Sequence, residues 1–316
     1  MVGARPQNLS MKKATTSGRY PQGQPLLAQT KRLLHQFDLK ARKGLAQHFL
    51  IDEEALKLIT SVAELDSHDI VVEVGPGLGV LTKELARQAG WVVAVEIDSQ
   101  LAAMLGQTLT SFHNIKIVNN DILGIKPADL LAEPGGGFPG VAGSPSQYKV
   151  VADLPYYITA PVLRHFLEAS VKPQSMVVMV QKEVAEVVAA RSGRMSILSV
   201  SVQVYGEPTI VGYVPAQSFY PAPEVNSAIL RIRVYPEPAV AMAGEPSFFT
   251  LVRAGFSATR KQIGNSLAKG LDLPKTEVLP LLEAAGIAAR RRAETLDIQE
   301  WAQLWEVCAS AGRLPC

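Results

Sequence analysis

Residues 69–98 read DIVVEVGPGLGVLTKELARQAGWVVAVEID, and their pattern decides the fold. DIVVEVG (69–75) is a short Val-rich strand that stops at glycine. GVLTKELARQAG (79–90) predicts a helix ended by Gly90, and WVVAVEID (91–98) predicts a second buried strand. Upstream, DEEALKLITSVAEL (52–65) puts Ala55, Leu56, Ile59, Val62, Ala63 and Leu65 on one helical face, with Asp52 as N-cap. Downstream come a helix at QLAAMLGQTL (100–109) and strands at IKIVNND (115–121), YKVVADLPY (148–156) and SMVVMVQ (175–181). Strands alternating with helices imply parallel βαβ units, and apolar strands without polar alternation imply a sheet covered on both faces. The expectation is an α/β, doubly wound sheet that binds ligands at the C-terminal ends of its strands.

Past residue 195 the pattern changes. SILSVSVQVYG (196–206) and SAILRIRVYP (227–236) alternate and are β-branched, which predicts antiparallel strands closing the sheet. PEPAVAMAGEP (236–246) reads as a linker, and EPGGGFPGVAGS (133–144) as a flexible surface loop. From Ser247 the chain reads as helices: FFTLVRAGFSA, KQIGNSLAKGL, KTEVLPLLEAAG and DIQEWAQLWEVC. The expected organisation is a disordered basic arm at 1–30, a sheet domain at 31–237 and a small all-helical domain at 238–316.

The 316 residues carry a net charge of only +2, unevenly spread. Residues 1–50 hold nine Lys or Arg against the single acid Asp38, whereas residues 51–100 hold three against ten. Residues 251–316 hold nine against seven, with Arg290, Arg291 and Arg292 adjacent. Basic ends suggest a polyanion such as nucleic acid, although a charge run is also what a solvated tail looks like. No apolar run is long enough to span a membrane. Cys308 and Cys316 are the only cysteines, which suits a reducing cytoplasm and offers neither a disulfide framework nor a metal cluster.

In the turn after the first core strand, glycines fall at 75, 77 and 79. A dinucleotide fingerprint needs Gly or Ala at position 80, which is Val80, so a cofactor without a pyrophosphate fits better. Glu96 ends the second strand, where a carboxylate can hold the hydroxyls of a ribose. Asp121 ends the third, in reach of an adenine amino group. These three strand ends together suggest S-adenosyl-L-methionine.

With these features in place, the chain from about Ala41 to Ala309 resembles the ribosomal RNA adenine N6,N6-dimethyltransferases of the KsgA type. The resemblance rests on GLAQHFL (44–50), VVEVGPGLGVLT (71–82), DLPYYI (153–158), QKEVAE (181–186), FYPAPEVNSAI (219–229), FSATRKQIGNSL (256–267) and RRAETLDIQEWAQL (291–304). It implies a Rossmann-like class I methyltransferase sheet with a C-terminal helical domain. It also implies that His48 and Leu50 line the methionine end of the cofactor, Gly75 and Gly77 approach it through the backbone, and Glu96 holds the ribose. Asp121 then binds the adenine, with Ile97 and Ile122 beside these two acids, and Asp153 lies between cofactor and target base. Four positions depart from the family: Asp153 and His48 stand where Asn is usual, and Val187 and Thr259 where Arg is common.

The chemistry implied is methylation of an adenine amino group, a poor nucleophile. The Asp153 carboxylate and the Leu154 carbonyl accept its N–H bonds, Pro155 fixes the turn, and Tyr156 and Phe219 stack on the extruded base. RNA contacts are expected at Lys40, Arg42, Lys43, Arg253, Arg260, Lys261 and Arg290 to Arg292. The expected substrate is a pair of adjacent adenosines near the 3′ end of small-subunit ribosomal RNA, presented by the immature small subunit to a cytoplasmic, monomeric, metal-independent enzyme. Four alternatives are weighed on sequence: an Erm-type enzyme acting on large-subunit RNA, a DNA adenine methyltransferase, whose catalytic turn usually has a second proline where Leu154 stands, a non-catalytic assembly or transcription factor on the same fold, and a nicotinamide-dependent dehydrogenase, which Val80 disfavours.

Overall fold

The computed structural model describes residues 25–42, 44, 47–132, 147–239 and 245–314. The glycine-rich 133–146 loop, residues 1–24 of the arm and residues 240–244 of the linker lie outside the described residues. Nine strands are described: β1 (Phe49–Leu50), β2 (Ile70–Val74), β3 (Trp91–Glu96), β4 (Ile115–Asn119), β5 (Lys149–Asp153), β6 (Ser175–Gln181), β7 (Gly206–Val214), β8 (Phe219–Tyr220) and β9 (Ser227–Val234). The helices are α1 (Leu26–Gln36), α2 (Glu53–Val62), α3 (Val80–Gln88), α4 (Ser99–Thr108), α5 (Pro127–Leu131), α6 (Thr159–Leu167), α7 (Lys182–Val188), α8 (Ile197–Gln203), α9 (Glu245–Gly255), α10 (Ile263–Gly270), α11 (Lys275–Ala284) and α12 (Ile298–Ser310).

Seven strands form one sheet in the order β4-β3-β2-β5-β6-β9-β7. The first five run parallel, and β9 and β7 add antiparallel. Helices cover both faces, so β2 is buried at all five positions. The chain passes from β2 outward to β3 in one direction and reaches β5 on the other side. The crevice between the ends of β2 and β5 is therefore the topological switch point where an open α/β sheet receives its ligand. A separate pair, β1 and β8, matches Phe49 with Tyr220 and Leu50 with Phe219 beside that crevice.

Asp52 caps α2 as expected, its Oδ1 accepting from the N–H groups of Glu54 and Ala55 at 2.9 and 3.1 Å. Its Oδ2 accepts from the Ser218 hydroxyl at 2.6 Å, which ties the start of α2 to the turn before β8. The Ser218 bond outweighs burial and holds this carboxyl below its ordinary 3.8. The stabilisation is thus present at neutral pH and lost as pH falls through the lowered value. Asp52→Ala is expected to cost about 1–2 kcal/mol in urea unfolding at pH 7. The difference between variant and parent should shrink in acid; an unchanged midpoint at pH 7 would contradict the linkage.

Three expectations need correction. The stretch 196–206 is not a strand: α8 occupies Ile197–Gln203, and the edge strand is β7, which begins at Gly206. Ser196 and Ser199 form a reciprocal capping box, and the Ser201 hydroxyl turns back to the Ile197 carbonyl at 2.7 Å. The Val/Ser alternation is thus satisfied by local helical hydrogen bonds, with Val200 and Val202 fully buried. Order also begins before residue 30, because α1 starts at Leu26 and buries Leu26, Thr30 and Leu33 at helical spacing. Finally, Gly90 is not among the glycines with positive φ; α3 ends as Ala89 turns extended.

Helices α9 to α12 follow as expected, and they share one continuous apolar core with a face of the sheet. Phe248, Trp301 and Leu304 belong to the same cluster as Val72, Val150 and Val178. Among the described residues no helix is long and apolar enough to cross a membrane.

Candidate active site

A cavity of about 170 Å³ opens at the switch point. Every residue expected on sequence grounds to act in catalysis or cofactor binding lines it: His48, Leu50, Gly75, Gly77, Glu96, Ile97, Asp121, Ile122, Asp153, Leu154, Pro155, Tyr156 and Phe219. These positions come from four parts of the fold. The β2 turn supplies the glycines, the β3 and β4 ends supply Glu96 and Asp121, the β5 end supplies Asp153 to Tyr156, and the β1–β8 pair supplies Leu50 and Phe219.

The turn is left-handed at each of its three glycines, with φ of 69° at Gly75, 55° at Gly77 and 77° at Gly79. A Cβ on Gly75 would sit 3.4 Å from the Pro155 ring, so the two ligand-facing turns lie against each other. The Gly77 N–H donates to Glu96 Oε2 at 3.2 Å, and the Asp98 N–H donates to Oε1 at 2.9 Å. These bonds fix the Glu96 carboxyl at the strand end. Burial nevertheless pushes its pKa up, against the opposing effect of the backbone donors. Asp121 is exposed and accepts from the Leu123 N–H at 3.0 Å. Ile97, half exposed at the mouth, and buried Ile122 frame the space between the two acids.

On the β5 side, Leu154 is buried and its N–H donates to the Met179 carbonyl at 3.0 Å, which anchors the start of the turn. Asp153 is half-buried on the cavity wall, and desolvation pushes its carboxyl up to about 8. The Tyr156 hydroxyl lies 2.8 Å from Ser227 Oγ, and its ring stacks with His48 at 6.1 Å between centroids. His48 Nδ1 is 2.7 Å from the Pro221 carbonyl, so that nitrogen is the donor. Phe219 is buried, facing the cavity from β8.

Sequence reasoning passed over Glu73. It is a single acid in the middle of the apolar strand IVVEV, only 1% exposed, and it lines the same cavity. A lone charge in an otherwise fully buried strand was the available signal. Its Oε2 has no hydrogen-bond partner, and burial, with Glu96 and Asp153 adding to it, pushes the carboxyl up to about 8. Tyr157, half exposed at the rim, was also missed.

Among the described residues the lining holds four acidic side chains, Glu73, Glu96, Asp121 and Asp153, and neither Lys nor Arg. That charge pattern suits a cationic ligand and disfavours a pyrophosphate. Among the described residues these acids do not converge into a metal-holding group.

A family model described as ribosomal RNA adenine dimethylase matches residues 38–309. The chain belongs to that family. It is 46% identical over 291 residues to ribosomal RNA small subunit methyltransferase A of Dehalococcoides mccartyi, covering 92% of this chain and 95% of the relative. The like-named protein of Moorella thermoacetica is 42% identical, with 87% and 95% covered. Among solved structures, the 23S rRNA methyltransferase ErmE superimposes with a TM-score of 0.64 at 30% identity, covering 82% of this chain and 98% of that one. A dimethyladenosine transferase from Plasmodium falciparum shares the fold, with a TM-score of 0.69 at 23% identity and 84% and 99% covered. As a member of the adenine dimethylase family the chain is a methyltransferase, with the class I α/β sheet expected of one.

The basic residues divide into two groups. Arg42 is engaged within the chain: its guanidinium reaches Asp98 at 3.3 Å and Gln100 at 2.7 Å, compensating an Asp98 carboxylate that is 3% exposed. Arg291 likewise pairs with Glu300, the capping-box residue of α12, and bonds to Thr295. Arg292 lies 3.6 Å from Glu294, and Arg253 donates to Thr250. Lys40, Arg260, Lys261 and Arg290 are exposed, and their side chains have no partner among the described residues; Lys43 lies outside them. The Ile263 N–H donates to the Arg291 carbonyl at 2.7 Å, which draws the 260–261 turn against the 290–292 turn.

Proposed function

We propose that this chain dimethylates the N6 amino groups of adjacent adenosines in small-subunit ribosomal RNA, using S-adenosyl-L-methionine. We propose also that it works as a monomer on the immature small subunit. The observation that carries the cofactor reading is the cavity at the switch point of a glycine-turn sheet, lined among the described residues by four acidic side chains without Lys or Arg. The small-subunit reading draws on relatives that match at 46% over nearly their whole length, against 30% for ErmE.

The residues present fit the cofactor. Glu96 would offer a fixed carboxyl for the ribose, Asp121 an acceptor for the adenine amino group, and Glu73, with its unpartnered Oε2, a carboxyl that a cation would drive to ionise. When bound, S-adenosylmethionine supplies an electrophilic methyl group on a sulfonium. The chain does the rest. Asp153 accepts one N6–H bond of the target adenine, and the Leu154 carbonyl accepts the other. Together they favour a pyramidal nitrogen whose lone pair points at the methyl. Tyr156, held by Ser227 and His48, and Phe219 on β8 receive the extruded base. Stacking of this kind contributes about 1–3 kcal/mol per base. Rate enhancement comes mainly from proximity and orientation. Lys40, Arg260, Lys261 and Arg290 contact phosphates and position the RNA without reading its sequence.

Equilibrium binding with labelled S-adenosylmethionine and with a nicotinamide dinucleotide, followed by transfer to purified subunits, tests this reading. Binding of the former alone and incorporation into immature small subunits are expected. Label in large subunits only would favour an Erm-type activity, and binding without transfer to any RNA would favour a non-catalytic factor.

A further inference from the structure

The four cavity carboxylates are not equivalent. Glu96 is held by two backbone N–H donors, and Asp121 is exposed with one donor on it. Glu73 and Asp153 differ from them. Glu73 is buried with an unpartnered Oε2, and among the described residues no hydrogen bond reaches the Asp153 carboxyl. Among the described residues no Lys or Arg lines the cavity to compensate them, and His48 is the one lining side chain able to carry positive charge. A charge left uncompensated in this way is costly in proportion to its burial, so the protonated form is favoured at fully buried Glu73 and, less strongly, at half-buried Asp153 until a cation arrives.

We propose that Asp153 and Glu73 are the residues by which the cavity distinguishes the positively charged sulfonium cofactor from its neutral, demethylated thioether, and that the charged ligand binds with loss of a proton from this carboxyl pair. The proposal rests on the S-adenosylmethionine reading above and adds to it a basis for choosing fresh cofactor over spent. Desolvation pushes both carboxyls up to about 8, which favours their protonated form before a cation arrives. A sulfonium nearby favours the ionised form. A carboxyl O–H then gives its proton to the buffer while the ligand is chemically unchanged. The thioether carries no charge and provides no such drive.

The other groups facing the pair are Glu96 from the end of β3, Asp121 from the turn after β4, Tyr156 and Tyr157 from the turn after β5, and His48 ahead of β1. Glu96 adds to the repulsion on Glu73, and the Thr82 hydroxyl from α3 partly offsets it. His48 is the one lining residue able to carry positive charge, and its Nδ1 donates to Pro221. An asparagine at position 153, usual in the resembled family, would leave only Glu73 to respond.

The test is calorimetry of the full chain at pH 7 with S-adenosylmethionine and with S-adenosylhomocysteine, each in two buffers of different ionisation enthalpy. Proton release with the sulfonium and none with the thioether is expected, the sulfonium binding more tightly. In Asp153→Asn the ratio of the two dissociation constants should shrink about tenfold, the factor that one unit of proton affinity represents. Glu73→Gln should move it in the same direction, and proton release should fall in both. Equal proton release by the two ligands overturns the proposal, as does a ratio within about twofold of the parent in both variants. If neither ligand binds the parent chain, the cofactor reading itself has failed.

Discussion

Asp153→Ala is expected to lower the single-turnover rate of methyl transfer about 10²–10³-fold, the usual effect of deleting one preorganised polar group at a reacting centre. Asp153 terminates β5, directly beside the turn whose Leu154 N–H is anchored to β6. It lines the cavity in which we propose the target adenine is methylated. On the proposed mechanism, alanine removes the acceptor of one N6–H bond and leaves the Leu154 carbonyl alone to orient the nitrogen. Asp153→Asn keeps an oxygen acceptor and loses the charge, so it should retain most of the rate. Quench-flow with labelled cofactor and substrate RNA measures both. An alanine variant as fast as the parent would remove Asp153 from the chemistry.

The second large effect falls on cofactor affinity. Glu96→Gln should raise the dissociation constant of S-adenosylmethionine about 10- to 100-fold, as expected for weakening one or two hydrogen bonds to a buried charge. The affinity for RNA should not change. Glu96 is 4% exposed and already fixed by the Gly77 and Asp98 N–H groups, so it meets a ribose without reorganising. Because the proposed contact is to the ribose, adenosine alone should lose affinity by a similar factor. Titration calorimetry with both ligands separates this from a contact at the methionine end, where adenosine would be unaffected. Unchanged affinity for both ligands would exclude Glu96 from the site.

How much of this was legible in the chain depends on the range of the interaction. The Val-rich strands β2, β3, β5 and β6 announce themselves, since a run of β-branched residues buried on both faces has few other uses. The strand ends that carry Glu96, Asp121 and Asp153 follow from them, because ligand positions in such a sheet are set by topology. Other features depend on partners distant in sequence. The two-residue strands β1 and β8 exist only because residues 49–50 meet residues 219–220. Arg42 looks like part of an RNA-binding arm until Asp98 is found against it, and Arg291 until Glu300 is. The α8 segment misleads for a local reason: its Val/Ser alternation imitates a strand, while Ser196 and Ser199 close a helix start. Glu73 was visible as a lone acid, but its role depends on Asp153 lying near it, on a strand some eighty positions later.

The most direct test is nucleoside analysis of small-subunit RNA after reaction with the parent chain and with Asp153→Ala side by side. Labelled methyl should appear as N6,N6-dimethyladenosine at adjacent positions with the parent chain and be nearly absent with the variant. Label recovered elsewhere than on adenine N6, or equal dimethyladenosine from both proteins, would contradict the account.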